Sequence, residues 1–247
     1  MYVQRGEPLR ILYIFPHPDD ESFGPAAVIH QQLAEGHEVY LFTLTRGGAT
    51  KQRHKLGVSI EEMGKIRLAE MHHMEVVLGL SGMTVWDLPD GKLQDIDPRE
   101  LEFFIQAEIE RLRPEVVVTY PVHGISGFHD HLVTHAIVKR VYLQMRDQGE
   151  HWLRRLAFFT IPDNGQSVFQ PTGLRIKQSD EDRIDVEISL KQANIDKLQK
   201  CLSCYTTYQD TIAHSGVIDQ IGNTVYFELY SENFNPRLST LTERIKE

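Results

Sequence analysis

Directly after the apolar run 11–15 and Pro16, the chain carries His17, Pro18, Asp19, Asp20 and Glu21. An imidazole and three carboxylates crowded into so short a stretch would suffer like-charge repulsion, and burial would add a desolvation cost. A positive partner is therefore expected. A divalent metal is the economical candidate, because one cation can accept an imidazole nitrogen and a carboxylate oxygen while a second carboxylate stays free for proton transfer. A second set of ligand-type side chains occurs at 121–135, PVHGISGFHDHLVTH, with His123, His129, Asp130, His131 and His135. Taken singly these have plain structural readings: Asp130 could cap a helix beginning at His131, and His135 could lie on that helix's solvent face.

The two sets can share a site only if the elements before them are neighbours. Residues 9–15 read as a buried strand, 25–35 as a helix stopped by Gly36, and 37–44 as a second strand that ends in Thr45, Arg46, Gly47 and Gly48. A basic, loop-like stretch at 49–59 precedes a long helix at 60–78. A short strand at 84–88 then leads through the Pro89-Asp90-Gly91 turn to a helix at 97–112, with Asp97 as its cap and Pro98 in its first turn. A strand at 116–120, a helix at 131–145 and a strand at 156–161 follow. This alternation predicts an α/β, Rossmann-like, doubly wound and mainly parallel sheet. In such a sheet the ligand crevice lies outside the carboxyl ends of the strands, where the strand order reverses. If the first and fourth strands are neighbours there, residues 17–21 face residues 121–135.

Beyond residue 161 the pattern changes. A polar stretch at 162–183 precedes a strand at 184–190, a helix at 191–205, and a Gly222-Asn223 turn between two β-like runs within 217–230. Residues 162–247 are read as a β-containing C-terminal extension of the 1–161 core, in a single domain spanning 1–247.

The 247 residues suffice for a substantial core. With 26 Lys and Arg against 35 Asp and Glu, the formal net charge of −9 argues against a general nucleic-acid or anionic-membrane binder. No apolar run approaches the ~20 residues of a membrane span, and no signal-peptide pattern opens the chain, so a cytoplasmic location is the expectation. Cys201 and Cys204 lack a second pair for a thiolate metal site and read as reduced core residues, with a redox pair as the lesser alternative. No G-x-G-x-x-G follows the first strand, which disfavours a nucleotide-binding dehydrogenase.

The PHPDDE sequence after a first strand, followed later by Gly127, Phe128, His129, Asp130 and His131, resembles the zinc-dependent N-deacetylase family that includes the LmbE-like and PIG-L-like proteins. The resemblance extends to the 45–48 loop, to Gly64-Lys65-Ile66-Arg67 with Glu70, to the 88–91 turn and to Asp185-Val186 before a Lys-containing helix. It implies that His17, Asp20 and His131 bind Zn2+, with Fe2+ as the alternative ion, and that Asp19 is the general base. Spacing agrees: Asp20 can turn back to the ion held by His17 while Asp19 points elsewhere. His135, one helical turn beyond His131, is the rival ligand.

The family commonly has a histidine where this chain has Phe128, so His129 is the stand-in expected to stabilise the oxyanion or protonate the leaving amine. Asp130 orients a histidine or caps the helix, Glu21 is a supporting carboxylate, and Arg67 and Arg46 are candidates for gripping substrate. The implied activity is metal-assisted removal of an N-acyl group, most simply N-acetyl, from a small amino sugar or its conjugate. An amidase acting on a larger acyl or thiol conjugate, and a ligand-binding member without turnover, are the alternatives. A homo-oligomer is compatible with all three.

Overall fold

A computed structural model of the chain describes residues 7–165, 176–217, 219 and 222–245. The first strand, β1 (Arg10–Phe15), is buried from Ile11 onward. Its side chains divide between two cores: Ile11, Tyr13 and Phe15 face one layer of helices, and Leu12 and Ile14 face the other. That division explains an uninterrupted apolar run, since a parallel strand covered on both faces has no solvent side to mark with polar residues.

The elements that follow are α1 (Ala26–Ala34), β2 (Glu38–Thr45), the short α2 (Gln52–Leu56), α3 (Ile60–Leu78), β3 (Gly82–Leu88), α4 (Pro98–Leu112) and β4 (Val116–Thr119). The chain continues through α5 (His129–Asp147), β5 (Arg155–Thr160), β6 (Val186–Ser189), α6 (Gln192–Cys204), α7 (Gln209–Ser215) and β7 (Thr224–Leu229). The sheet order is β3-β2-β1-β4-β5-β7-β6. From β3 to β5 neighbouring strands are parallel, whereas β7 runs antiparallel to both β5 and β6. Strand order reverses between β1 and β4, as the alternation of elements predicts, so the loops leaving these two strands open on one crevice. Helices α1, α3 and α6 cover one face, and α4 and α5 cover the other.

Three local differences from the sequence expectation bear on function. The 49–59 loop contains α2. Helix α5 starts at His129 rather than His131, with Phe128 at its N-cap. The two β-like runs around Gly222-Asn223 do not form a hairpin: Val217 and Asp219 are helical, residues 218, 220 and 221 lie outside the described residues, and β7 finds its partners in β5 and β6. Among the described residues no helix is long and apolar enough to cross a membrane.

Candidate active site

At the end of β1 the backbone makes a tight turn. Asp19 adopts φ 78°, a left-handed conformation that short polar residues tolerate better than most. Its carbonyl accepts from the backbone N–H groups of Ser22 and Phe23 at 2.8 and 2.9 Å. This turn sends two adjacent carboxylates in different directions. Asp20 folds back, so that its Oδ2 accepts from the backbone N–H of His17 at 2.9 Å, while Asp19 Oδ2 accepts from Arg67 Nη2 at 2.6 Å.

The opposite wall comes from the exit of β4 and the first turn of α5. Tyr120 donates its hydroxyl to Asp20 Oδ1 at 2.7 Å, and its ring stacks on the His131 imidazole with centroids 4.2 Å apart and planes at 12°. His131 Nδ1 lies 3.0 Å from the carbonyl of Gly124, an atom that can only accept, so this nitrogen carries the hydrogen. His17 Nε2 faces carboxylate oxygens of Asp130 at 3.0 Å and Asp90 at 3.3 Å and carries a hydrogen for the same reason. The remaining nitrogens, His17 Nδ1 and His131 Nε2, face each other at 3.2 Å. Asp20 oxygens stand 3.6 Å from the first and 3.5 Å from the second.

Two imidazole lone pairs at that separation need a cation between them. Without a metal, a proton fills the role. Burial lowers the affinity of His17 for it, but the carboxylates of Asp130, Asp20 and Asp90 outweigh burial and raise the group to about 10. Burial, with His17 nearby, pushes His131 down to about 4 against the pull of Asp20. The carboxylates around His17 thus favour positive charge at this place. A divalent ion fits the same place, since His17, Asp20 and His131 offer two neutral nitrogens and a carboxylate oxygen, all within 4.8 Å of one another. This mixed donor set suits zinc or ferrous iron.

The surrounding carboxylates divide the remaining work. Asp130 does not cap α5. Its Oδ2 accepts from the backbone N–H of Gly91 at 2.8 Å and its Oδ1 from that of Leu93 at 3.0 Å, so it anchors the turn after β3 while holding His17. Asp90 braces His17 from that same turn, and its Oδ2 accepts from the Ala49 backbone N–H at 2.6 Å. Burial lifts Asp19 to about 6 in spite of the Arg67 charge, whereas Asp20 is held low by His131, His17 and Tyr120 in spite of its burial. Glu21 is fully buried and accepts from Ser22 Oγ at 2.5 Å and from the Tyr205 hydroxyl at 2.6 Å. Burial raises it to about 7.

His129, His135 and Arg67 depart from their expected places. His129 is exposed on the first turn of α5 and takes no part in the bonds joining His17, Asp20, Asp90, Asp130 and His131. Phe128 is 45% exposed and meets His131 edge-on at 5.7 Å. His135 turns to the Tyr120 carbonyl, 2.8 Å from its Nδ1, and is not part of either group of potential metal donors among the described residues. Arg67 is only 2% exposed and lies beneath Asp19, with Nη2 also donating to the Pro18 carbonyl at 2.8 Å, so it does not line the mouth. Arg46 pairs with Asp87 at 3.0 Å and remains partly exposed. Tyr120 and Asp90 complete the cluster without a chemical motif of their own. For Tyr120 the only signal available was position at the carboxyl end of β4 beside the crevice, whereas Asp90 lies in the 88–91 turn to which the family resemblance extends.

A protein-family model described as PIG-L, GlcNAc-PI de-N-acetylase, matches residues 12–142, just over half of the chain. The chain is similar to the 1D-myo-inositol 2-acetamido-2-deoxy-α-D-glucopyranoside deacetylase of Thermomonospora curvata, at 29% identity over 168 residues covering 58% of this chain and 57% of that protein. It spans about half the length of the first curated relatives it matches. Among solved structures, the zinc-inhibited form of the teicoplanin deacetylase Orf2 aligns with TM-score 0.67 and 16% identity, over 89% of this chain and 97% of that one. The 4-carboxy-2-hydroxymuconate hydratase GalB of Pseudomonas putida KT2440 aligns with TM-score 0.64 and 14% identity, over 92% and 99%. At these identities the two structures share the fold, and one fold carries two different reactions.

Proposed function

Since the chain belongs to the PIG-L family of de-N-acetylases, we propose that it is a metal-dependent hydrolase that removes an N-acyl group, most simply N-acetyl, from an amino sugar or its conjugate. The observation that carries this reading is the pair of inward-facing nitrogens, His17 Nδ1 and His131 Nε2, 3.2 Å apart with Asp20 beside them and Asp19 adjacent but directed elsewhere. Zinc is the proposed ion, held by His17, Asp20 and His131, with ferrous iron accommodated by the same donors. When bound, it would polarise the amide carbonyl and make water more acidic.

The protein's own residues supply the proton transfers. Asp19 has one oxygen fixed by Arg67 and the other available, and a carboxyl lifted to about 6 is still ionised at neutral pH while being more basic than a free aspartate. It takes the proton of the attacking water and returns it to the amine nitrogen as the C–N bond breaks, releasing a carboxylate and a free amine. This double duty replaces the part foreseen for His129. Asp130 and Asp90 keep the hydrogen of His17 on Nε2, and Gly124 keeps that of His131 on Nδ1, so both rings hold their inward nitrogens unprotonated once the ion is in place.

The test measures metal content and acetate release from 1D-myo-inositol 2-acetamido-2-deoxy-α-D-glucopyranoside and N,N′-diacetylchitobiose, comparing wild type with Asp19→Asn. Turnover should fall by roughly 10²–10⁴-fold, as expected for loss of a general base, with the metal retained. Unchanged turnover in Asp19→Asn would refute the base assignment. A series of longer N-acyl groups on the same sugar distinguishes a deacetylase from an amidase of larger acyl conjugates.

A further inference from the structure

The segment joining α6 to α7, residues 205–208, lies beyond the stretch matched by the family model, yet it closes over the floor of the catalytic cleft. Three ties fix it there. Tyr205 donates its hydroxyl to Glu21 Oε1 at 2.6 Å, and Tyr208 donates its hydroxyl to Thr50 Oγ1. Between them, the Glu70 carboxylate accepts from Thr206 Oγ1 at 2.8 Å, from the Thr207 backbone N–H at 2.7 Å and from Thr207 Oγ1 at 2.9 Å. Glu70 sits on α3 one turn after Arg67, so the segment is bolted to the helix that carries the arginine.

Arg67 is the group enclosed by this arrangement. Its guanidinium carbon lies 4.0 Å from the centroid of the Tyr208 ring and 6.0 Å from that of Tyr205. Nη2 serves both Asp19 Oδ2 and the Pro18 carbonyl, whereas Nε is buried and has no hydrogen-bond partner. On the Nε side the space is filled by Gly47, which has φ +63°, and a Cβ there would come within 3.2 Å of the nitrogen. A buried guanidinium with an unpartnered N–H is costly, and the face of an electron-rich ring is the remaining stabilising contact.

We propose that Tyr208 is a positioning residue for catalysis: its ring face holds the Arg67 guanidinium flat beneath Asp19, and Arg67 in turn fixes one carboxylate oxygen so that the other is presented to the cleft. The proposal rests on the reading of Asp19 as the general base. It assigns a catalytic contribution to the C-terminal extension, which otherwise contributes sheet and core. Tyr208 itself touches no reacting atom.

The experiment compares Tyr208→Leu, Tyr208→Phe and Asp19→Asn in the zinc-loaded protein, with N,N′-diacetylchitobiose as substrate and acetohydroxamate as a small calorimetric probe. Tyr208→Leu should lower kcat roughly 30-fold, the factor corresponding to a desolvated cation–π contact, with KM, zinc affinity and Tm close to wild type. It should weaken acetohydroxamate binding in parallel. Tyr208→Phe keeps the ring but loses the hydroxyl's interactions with Thr50 and Arg67, and should restore most of the rate. A Tyr208→Leu protein that turns over and binds the probe like wild type overturns the proposal. So does a loss shared equally by Tyr208→Phe, which would make the hydroxyl rather than the ring face the active element. A wild type whose turnover survives Asp19→Asn overturns the base assignment instead, and a wild type that neither turns over nor binds the probe removes that reading and the inference with it.

Discussion

Asp19 and Asp20 are adjacent in sequence and opposite in environment. The left-handed turn at Asp19 gives one carboxylate to an arginine and leaves it near 6, while the other accepts from a backbone N–H and a tyrosine hydroxyl and is driven low. Separating neighbouring carboxylates in this way lets one bind a cation while its neighbour exchanges protons. Tyr120 is the unassigned participant. It bonds Asp20 and stacks on His131, so one side chain sets two donors at once. Tyr120→Phe keeps the stack and removes the bond, and zinc affinity measured by chelator competition should fall by about 10-fold or more, the lower end of the effect of an outer partner. Affinity equal to wild type would mean that Asp20 is held by His17 alone. His17, Asp20 and His131 were legible in the sequence because ligand types cluster at two strand ends. Tyr120 and Tyr208 were not, because a tyrosine acquires its role only from what the fold places beside it, and Asp90 was legible as part of the 88–91 turn but not as a partner of His17. Arg67 was read as a candidate for gripping substrate, and its burial beneath Asp19 depends on packing between α3 and a segment more than a hundred residues away.

At the scale of elements, the start of α5 is the informative case. An Asp-His pair following a loop reads as a cap and first turn, but the helix begins at His129 and Asp130 lies inside it. Ser126 Oγ accepts from the Phe128 backbone N–H at 3.2 Å, and Thr134 Oγ1 donates to the Asp130 carbonyl at 2.7 Å, so local bonds fix the start two residues early. That shift turns Asp130 toward His17 and leaves His129 in solvent. By contrast, α3 spans the 60–78 expected for it: in the structure Ser59 and Glu62 form a reciprocal capping box at its start, and the helix carries Arg67 and Glu70 to the cleft. Helix α6 presents Cys201 and Cys204 to the core as free thiols. Burial, with Glu21 nearby, lifts Cys201 to about 12. The native protein should therefore resist iodoacetamide at pH 8 at this position and react on unfolding, as read by mass spectrometry. Because the folded thiol holds its proton longer than the unfolded one, its contribution to stability is complete below the ordinary thiol value of 9.0 and is lost as pH rises through about 12. Rapid native labelling of Cys201 would contradict the burial of α6.

For the molecule as a whole, the strand order around the crevice followed from the alternation of strands and helices, because right-handed crossovers leave few alternatives. The extension did not, because β7 pairs with strands far from it in sequence and no turn signal encodes such pairing. Arg155 holds this part together from inside the sheet. It is 1% exposed, forms paired bonds of 2.8 Å to Glu232, and donates to the carbonyls of Leu241 and Glu243 at 2.6 and 2.9 Å. Arg155→Met would strand a largely buried carboxylate and buried carbonyls, and should cost about 3 kcal/mol in urea unfolding. A loss well under ~1 kcal/mol would show the pair to be as dispensable as a surface ion pair.

The insertion of β7 between β5 and β6 has a consequence for synthesis. Strand β6 leaves the ribosome before the strand that joins it to the sheet, so it waits until residues 224–229 are made. Residues 205–208 lie inside that waiting interval. A growing chain therefore has His17, Asp20 and His131 available well before Tyr208 can settle over Arg67. On the proposed reading, hydrolysis would become possible only once residues 205–208 are in place, later than the residues proposed to hold the metal.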